Sequence, residues 1–258
     1  MFVNAFPRFD KDRILKKEML ENLRDFPRNI LDIYYKDYSN GIISGAQICI
    51  GGSSITVQKG IIKHGGRIYM LDKEFDMSYY PTNKEALIKI KFLDEVLEGD
   101  FNIYKSKAFI DGNSKVLEDE LEMGRFKLRE GALLRSEYRD FYDFSTEFNT
   151  VNIINVQYSG FKKSTISPVI LKFFSNIVLK IGSDNIYDIS FAMQCMNENT
   201  VERELILHYI SNRLNLEYDD YSNMQIYKHL TTIVKEIESG VKRKTEVRQN
   251  RPSRIIVD

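Results

Sequence analysis

Apolar positions along the chain change period twice. From Asp10 to Pro27 they recur at helical spacing (Ile14, Leu15, Met19, Leu23), while Lys16, Lys17, Glu18 and Glu21 supply a wet face. Asp10 is the expected N-cap, and Pro27 the expected end of this helix or a sharp bend in it. From Gly41 the period falls to two. Ile42 to Ile50 is apolar and broken by glycine, Ile55 and Val57 alternate with Thr56 and Gln58, and Ile61-Ile62 and Ile68 to Leu71 flank Gly65-Gly66. Gly-Gly between short apolar runs predicts a hairpin, because both central residues can take positive φ. We expect a β-meander here. Further strands are expected at 88–92, 101–110, 126–128 and 151–158. The acidic stretches 94–100 and 118–122 lie between them and are read as solvated loops or faces. The aromatic-acidic segment 138–148 fits neither period.

After Gly160 the period is helical again. Ser167-Pro168 starts a helix whose stripe is Ile170, Phe173, Phe174, Ile177, Val178 and Ile181, with Gly182 as its stop. A second helix is expected from Asn185 to Met196. A third begins near Asn199 or Thr200, with Glu202 and Glu204 in its first turn and Val201, Leu205, Tyr209 and Ile210 as its stripe. The fourth carries Ile226, Leu230, Ile233, Val234 and Ile237 and stops at Gly240. The fold class predicted is α+β. It comprises an N-terminal helix and lead-in (1–40), a β-rich domain (41–160), a small helical bundle (161–240) and a basic tail (241–258).

The tail carries Lys242, Arg243, Lys244, Arg248, Arg251 and Arg254 against Glu246 and Asp258, and then runs into Ile255, Ile256 and Val257. Three readings compete for it. It can neutralise nucleic-acid phosphates, dock on a partner by adding a strand to a sheet edge, or hang as a frayed end. The docking arm is the reading adopted, with those nine residues as the candidate contacts.

Charge and chemistry then narrow the function. Lys+Arg and Asp+Glu are equal at 37 each, so the molecule as a whole has no field that draws it to nucleic acid or an anionic membrane. Zero net charge also does little to keep copies apart. Cys49 and Cys195 read as reduced, buried thiols, and no leader or membrane-spanning run is expected. The three histidines, His64, His208 and His229, form no HxxxH or HExxH pair. The glycine pairs match neither phosphate-binding loop, and no GxSxG elbow or calcium loop is present. No catalytic residue, metal ligand or cofactor is therefore assigned.

The meander carries a resemblance. Gly41-Ile42-Ile43-Ser44-Gly45-Ala46-Gln47-Ile48, Ile55-Thr56-Val57, Gly60-Ile61-Ile62 and Gly66-Arg67-Ile68-Tyr69 together resemble structural proteins of the baseplate and tail-fibre region of contractile prophages and phage-tail-like bacteriocins of clostridial type. Met19 to Pro27 fits the same context. The match spans about Asp10 to Leu71. It implies a non-catalytic subunit at the baseplate periphery or the fibre attachment point, made in the cytoplasm and assembled into the particle. Its partners would be other baseplate or tail-fibre subunits, in homo- or hetero-oligomers, with no membrane and no nucleic acid. Two alternatives stay open: a nucleic-acid-binding protein acting through the tail, and a tail-associated hydrolase.

Overall fold

Alternation of apolar and polar residues from Gly41 to Ser78 produces three long antiparallel strands, each bent once. The computed structural model describes residues 2–240 of the chain. The first long strand is β1 (Gly41–Gly45) continuing into β2 (Ile48–Gly51). The second is β3 (Ser54–Val57) continuing into β4 (Gly60–His64), and the third is β5 (Arg67–Leu71) continuing into β6 (Phe75–Ser78). The meander is thus present, but folded over. One half forms the sheet β1-β4-β5 and the other the sheet β2-β3-β6. The Gly65-Gly66 turn has both residues at positive φ, as the hairpin reading requires.

The fold line of this meander runs through a close backbone crossing. Gly45 pairs with Gly60. A Cβ on Gly45 would meet the Lys59 carbonyl oxygen at 2.2 Å, and one on Gly60 would meet the Ala46 nitrogen at 2.2 Å. Ala46 N–H donates to Lys59 O and Gln58 N–H to Gln47 O, both at 2.9 Å, so the corner stays hydrogen-bonded as the strands change sheet. Strands that turn a corner need such small residues, since any side chain would hold the two backbones apart.

A third sheet has the order β8-β7-β9, with β7 (Glu85–Glu98), β8 (Phe101–Asp111) and β9 (Glu120–Lys127) all antiparallel. Its Ala86, Ile88, Ile90, Leu121, Met123 and Phe126 pack with Ile42, Ile55, Val57 and Ile62 of the folded meander into one core. Two expectations change here. The acidic stretch 118–122 enters β9, and Glu120 and Glu122 are buried in ion pairs with Lys89 and Arg125. Residues 151–158 make no strand. Asn152 bridges Arg125, while Tyr158 bridges both Ile42 and Thr165, so the segment is spent on single bridges to different partners instead of one ladder.

The four C-terminal helices form as the spacing predicts, with capping that fixes their ends. They are α2 (Pro168–Ile181), α3 (Ile186–Asn197), α4 (Arg203–Leu214) and α5 (Asn223–Ser239). Asn185 Oδ1 accepts from Tyr187 N–H at 2.9 Å, and Ser222 and Gln225 form a reciprocal capping box at the start of α5. Helix α4 begins about three residues later than expected. Val201 is buried ahead of it, and the Glu202 carboxylate accepts from Phe161 N–H at 2.8 Å. The unassigned segment 138–148 holds a short 3₁₀ turn, Tyr142–Ser145. Its Phe141 and Phe144 are fully buried among Phe174, Tyr227 and Leu230, and Tyr227 Oη donates to Phe141 O at 2.8 Å. Ile153 packs against both this core and the β-rich one.

The first helix departs most from expectation. Helix α1 is Lys17–Tyr34, starting well after Asp10 and continuing through Pro27 for seven further residues. None of its residues is buried. The α+β class holds, with helices and antiparallel sheets in one chain.

Candidate functional site

Clusters of titratable side chains inside the fold are engaged with one another. Lys89 Nζ, fully buried, donates to Asp111 at 2.9 Å and to the Lys115 carbonyl, and pairs with Glu120 at 3.1 Å. Burial works against its ammonium, but the bonds to Asp111 and Glu120 outweigh that and hold its pKa above the ordinary lysine value. Asp188 is fully buried between helices. It accepts from Tyr209 Oη at 2.8 Å, Ser183 Oγ at 2.7 Å and Arg213 Nε at 2.8 Å, and Arg213 also reaches Glu236 at 3.0 Å. Arg203 donates to Ser164 O, Asn223 Oδ1, Asp220 and Tyr221 O, which ties the floor of a polar groove of about 660 Å³. Its guanidinium is committed to these internal acceptors.

The histidines lie apart. His64 stacks on Phe92 with centroids 3.9 Å apart, His208 rests against Tyr218, and His229 against Tyr221. Burial pushes His64 and His229 below the usual histidine value. Cys195 is buried as expected, and desolvation pushes its thiol up to about 12. Cys49 is only half-buried, on the edge of a cleft of about 490 Å³ between β2 and Leu134, Ser136 and Tyr138. Its thiol is also pushed up by desolvation, so neither cysteine is an activated nucleophile. Among the described residues, no group of three or more His, Cys, Asp and Glu is placed to hold a metal ion. No helix among them is long and apolar enough to cross a membrane.

What the structure does present is apolar surface: besides the lead-in, where Phe2, Phe6, Phe9, Ile14 and Leu15 are exposed, it lies on three elements of secondary structure. The first is α1, where Leu20, Leu23, Phe26, Ile30, Leu31 and Ile33 are all exposed, Ile33 at 75%. The second is the far end of the β7–β8 hairpin. Beyond the register shift between Phe92 and Glu95 the two strands leave the core and run on as a ribbon, with Leu93, Val96, Leu97 and Phe101 exposed. The third is α3. Its inner face buries Asp188, Phe191, Ala192 and Cys195, while Ile186, Ile189, Met193 and Met196 form a second, outer stripe left exposed among the described residues. Isolated exposed apolar residues are ordinary, but rows of them on one element mark contact surfaces.

The base of α1 is fastened to the β-rich region. The half-buried Tyr35 and Tyr38 pack with Tyr34, and Tyr38 meets Phe161 edge-on at 6.3 Å. Ser39 N–H donates to Gly160 O at 2.9 Å. Lys63 is buried, and its ammonium donates to the carbonyls of Tyr35, Lys36 and Tyr38 just past the helix end. A cation at that end meets the unsatisfied carbonyls and the negative pole of the helix dipole.

The docking residues read from the tail (Lys242, Arg243, Lys244, Arg248, Arg251, Arg254, Ile255, Ile256 and Val257) lie outside the described residues. The three apolar surfaces were not singled out from the sequence. The Ile186-Ile189-Met193-Met196 spacing was available as a signal. It was hidden by the inner stripe of the same helix, since a helix apolar on both faces reads as core.

No family model matches this chain, and no curated protein matches it. Among solved structures, the chain is similar to TssK, with a TM-score of 0.41 and 7% identity over 93% of this chain and 72% of that one. A likeness of this size assigns neither a family nor a function.

Proposed function

We propose that this protein is a non-catalytic structural component of a contractile phage-tail-like particle, placed at the baseplate periphery or the fibre attachment point and acting through protein-protein interfaces. The observation that carries the assembly part of this reading is the set of unpartnered apolar rows on α1, the β7–β8 ribbon and α3. They lie on three separate elements. A chain that meets several neighbours in an assembly needs several such faces, whereas one ligand or substrate needs a single concave site. The particle itself is suggested by the Gly41–Tyr69 pattern, whose glycines serve the folded meander described above.

In this reading, α3 and the ribbon meet heterologous subunits. The Met193 and Met196 side chains suit that use, because thioethers adapt to an irregular partner surface. The tail residues from Lys242 to Val257 remain a proposed docking arm. The test is co-expression with the proteins encoded beside it, with and without residues 241–258. Stable capture of a tail or fibre subunit supports the reading, and loss of that capture on truncation assigns the arm. A chain that captures no neighbour in any combination overturns it.

A further inference from the structure

We infer that α1 is a self-association helix, whose uncovered face packs against α1 of further copies of this chain. This inference rests on the assembly reading and names the occupant of one of its surfaces.

The helix is not stable on its own terms. It is 18 residues long, Pro27 removes one backbone hydrogen bond from its interior, and Lys16 at its N-cap makes no side-chain cap. Helices of this kind draw their stability from packing an amphipathic face, and this one buries none of its residues within the chain. Among the described residues nothing supplies that packing, so it has to come from elsewhere.

The pattern of the face says what covers it. Met19, Leu23, Phe26, Ile30 and Ile33 are spaced 4, 3, 4 and 3 residues apart, which is the a/d seam of two heptads. The positions flanking the seam are uncharged: Asn22 and Asn29 on one side, Leu20, Pro27 and Tyr34 on the other. Every charge from Lys17 to Asp32 stands on the outer face. There Lys17 pairs with Glu21 at 3.3 Å, Arg24 with Asp25 at 2.6 Å and Arg28 with Asp32 at 3.8 Å. A partner selected by charge would need charged flanks. A seam with neutral flanks and all its charges on the outer face is complementary to itself, so a second copy meets no like-charge repulsion and buries no charge.

The experiment is sedimentation velocity on the full chain, comparing the parent with L23E/I30E and with R24Q on the outer face. The parent is expected at a multiple of 30.2 kDa. L23E/I30E is expected at the monomer mass and still to unfold in one cooperative transition, because no α1 side chain belongs to the core, with any fall in melting temperature limited to what loss of association removes. R24Q should keep the parent's mass. A monomeric parent, or a double variant that associates like the parent, overturns the inference. The co-expression assay separates the two readings. A monomeric parent that still captures a tail subunit sinks self-association alone. An α1-dependent oligomer that captures none sinks the baseplate reading alone.

Discussion

Lys89 and Glu120 meet diagonally across the β7–β9 ladder, Nζ to Oε2 at 3.1 Å, with their side chains 1% and 5% exposed. In register Lys89 stands opposite Glu122 and Glu120 opposite Lys91, so all four charges share one side of the sheet. Glu122 is drawn instead to Arg125 at 2.7 Å, and Lys91 to Asp119 at 3.0 Å. Of these three pairs, Lys89–Glu120 alone is enclosed at both ends. Substituting Lys89→Met keeps the bulk but strands the Glu120 carboxylate. We expect a loss of about 3–5 kcal/mol in urea unfolding, the usual cost of an uncompensated buried charge. The double variant K89M/E120Q should recover part of that loss. A single variant as stable as the parent would show that water already reaches the pair.

Acid sensitivity should trace to Asp143. Its carboxylate takes both terminal nitrogens of Arg135, the Arg139 N–H at 2.9 Å and the Thr146 hydroxyl at 2.8 Å. The Arg135 bonds, foremost, hold its pKa well below the usual carboxylate range. A depressed folded-state pKa means the contribution is fully present above the unfolded value of about 3.9 and is lost as pH falls through that value toward the folded one. Asp143→Asn should lower stability by about 2 kcal/mol at neutral pH. Its unfolding free energy should then fall less steeply than the parent's between pH 5 and pH 2. Parallel acid limbs in the two proteins would refute this assignment.

The corner of the meander yields a graded prediction. Gly45→Ala would drive a Cβ into the Lys59 carbonyl at a backbone with φ near 65°, where neither strand can yield. We expect more than about 4 kcal/mol of destabilisation and little folded protein. Gly52→Ala has a similar φ, 52°, but open space around it, so only the left-handed backbone penalty of about 1–2 kcal/mol applies. Thermal melts of the two variants measure the difference, and equal losses would mean that crowding at the corner plays no part.

The sequence made the helical bundle legible, because its signals are local. Ser167-Pro168, Asn185, Gly182 and Gly240 mark ends through capping and chain reversal, and each stands within a residue of an observed boundary. The meander was legible for the same reason, as its turns are glycine pairs. The fold at Gly45 and Gly60 was not, because it depends on two backbones far apart in the chain crossing closely. Glu120 read as solvated because its burial is decided by Lys89, some 30 residues away on another strand, whereas Glu122 pairs with Arg125 three residues on in its own strand, a spacing that does not by itself signal burial. Helix α1 was legible as amphipathic, but its spacing could not tell whether its apolar face meets this chain or another. Pro27 does not end the helix, because proline weakens a helix without fixing where it stops.

The outer stripe of α3 offers the sharpest separation between stability and assembly. Ile186 and Met193 are two turns apart on the side of the helix opposite Phe191 and Cys195, and both are mostly exposed. Replacing them together by glutamate, I186E/M193E, adds charge where water already is. Unfolding free energy should therefore change by no more than about 0.5 kcal/mol per site. Self-association through α1 should also persist, because the two helices are distinct surfaces. Capture of a heterologous tail subunit in co-expression should fall at least tenfold, since two charges would have to be desolvated against an apolar partner. If capture is unchanged while L97K/F101K on the β7–β8 ribbon abolishes it, the ribbon and not α3 is the heterologous face. If the α3 variant loses stability as well, the outer stripe belongs to the packing of the bundle and its role as a docking surface falls.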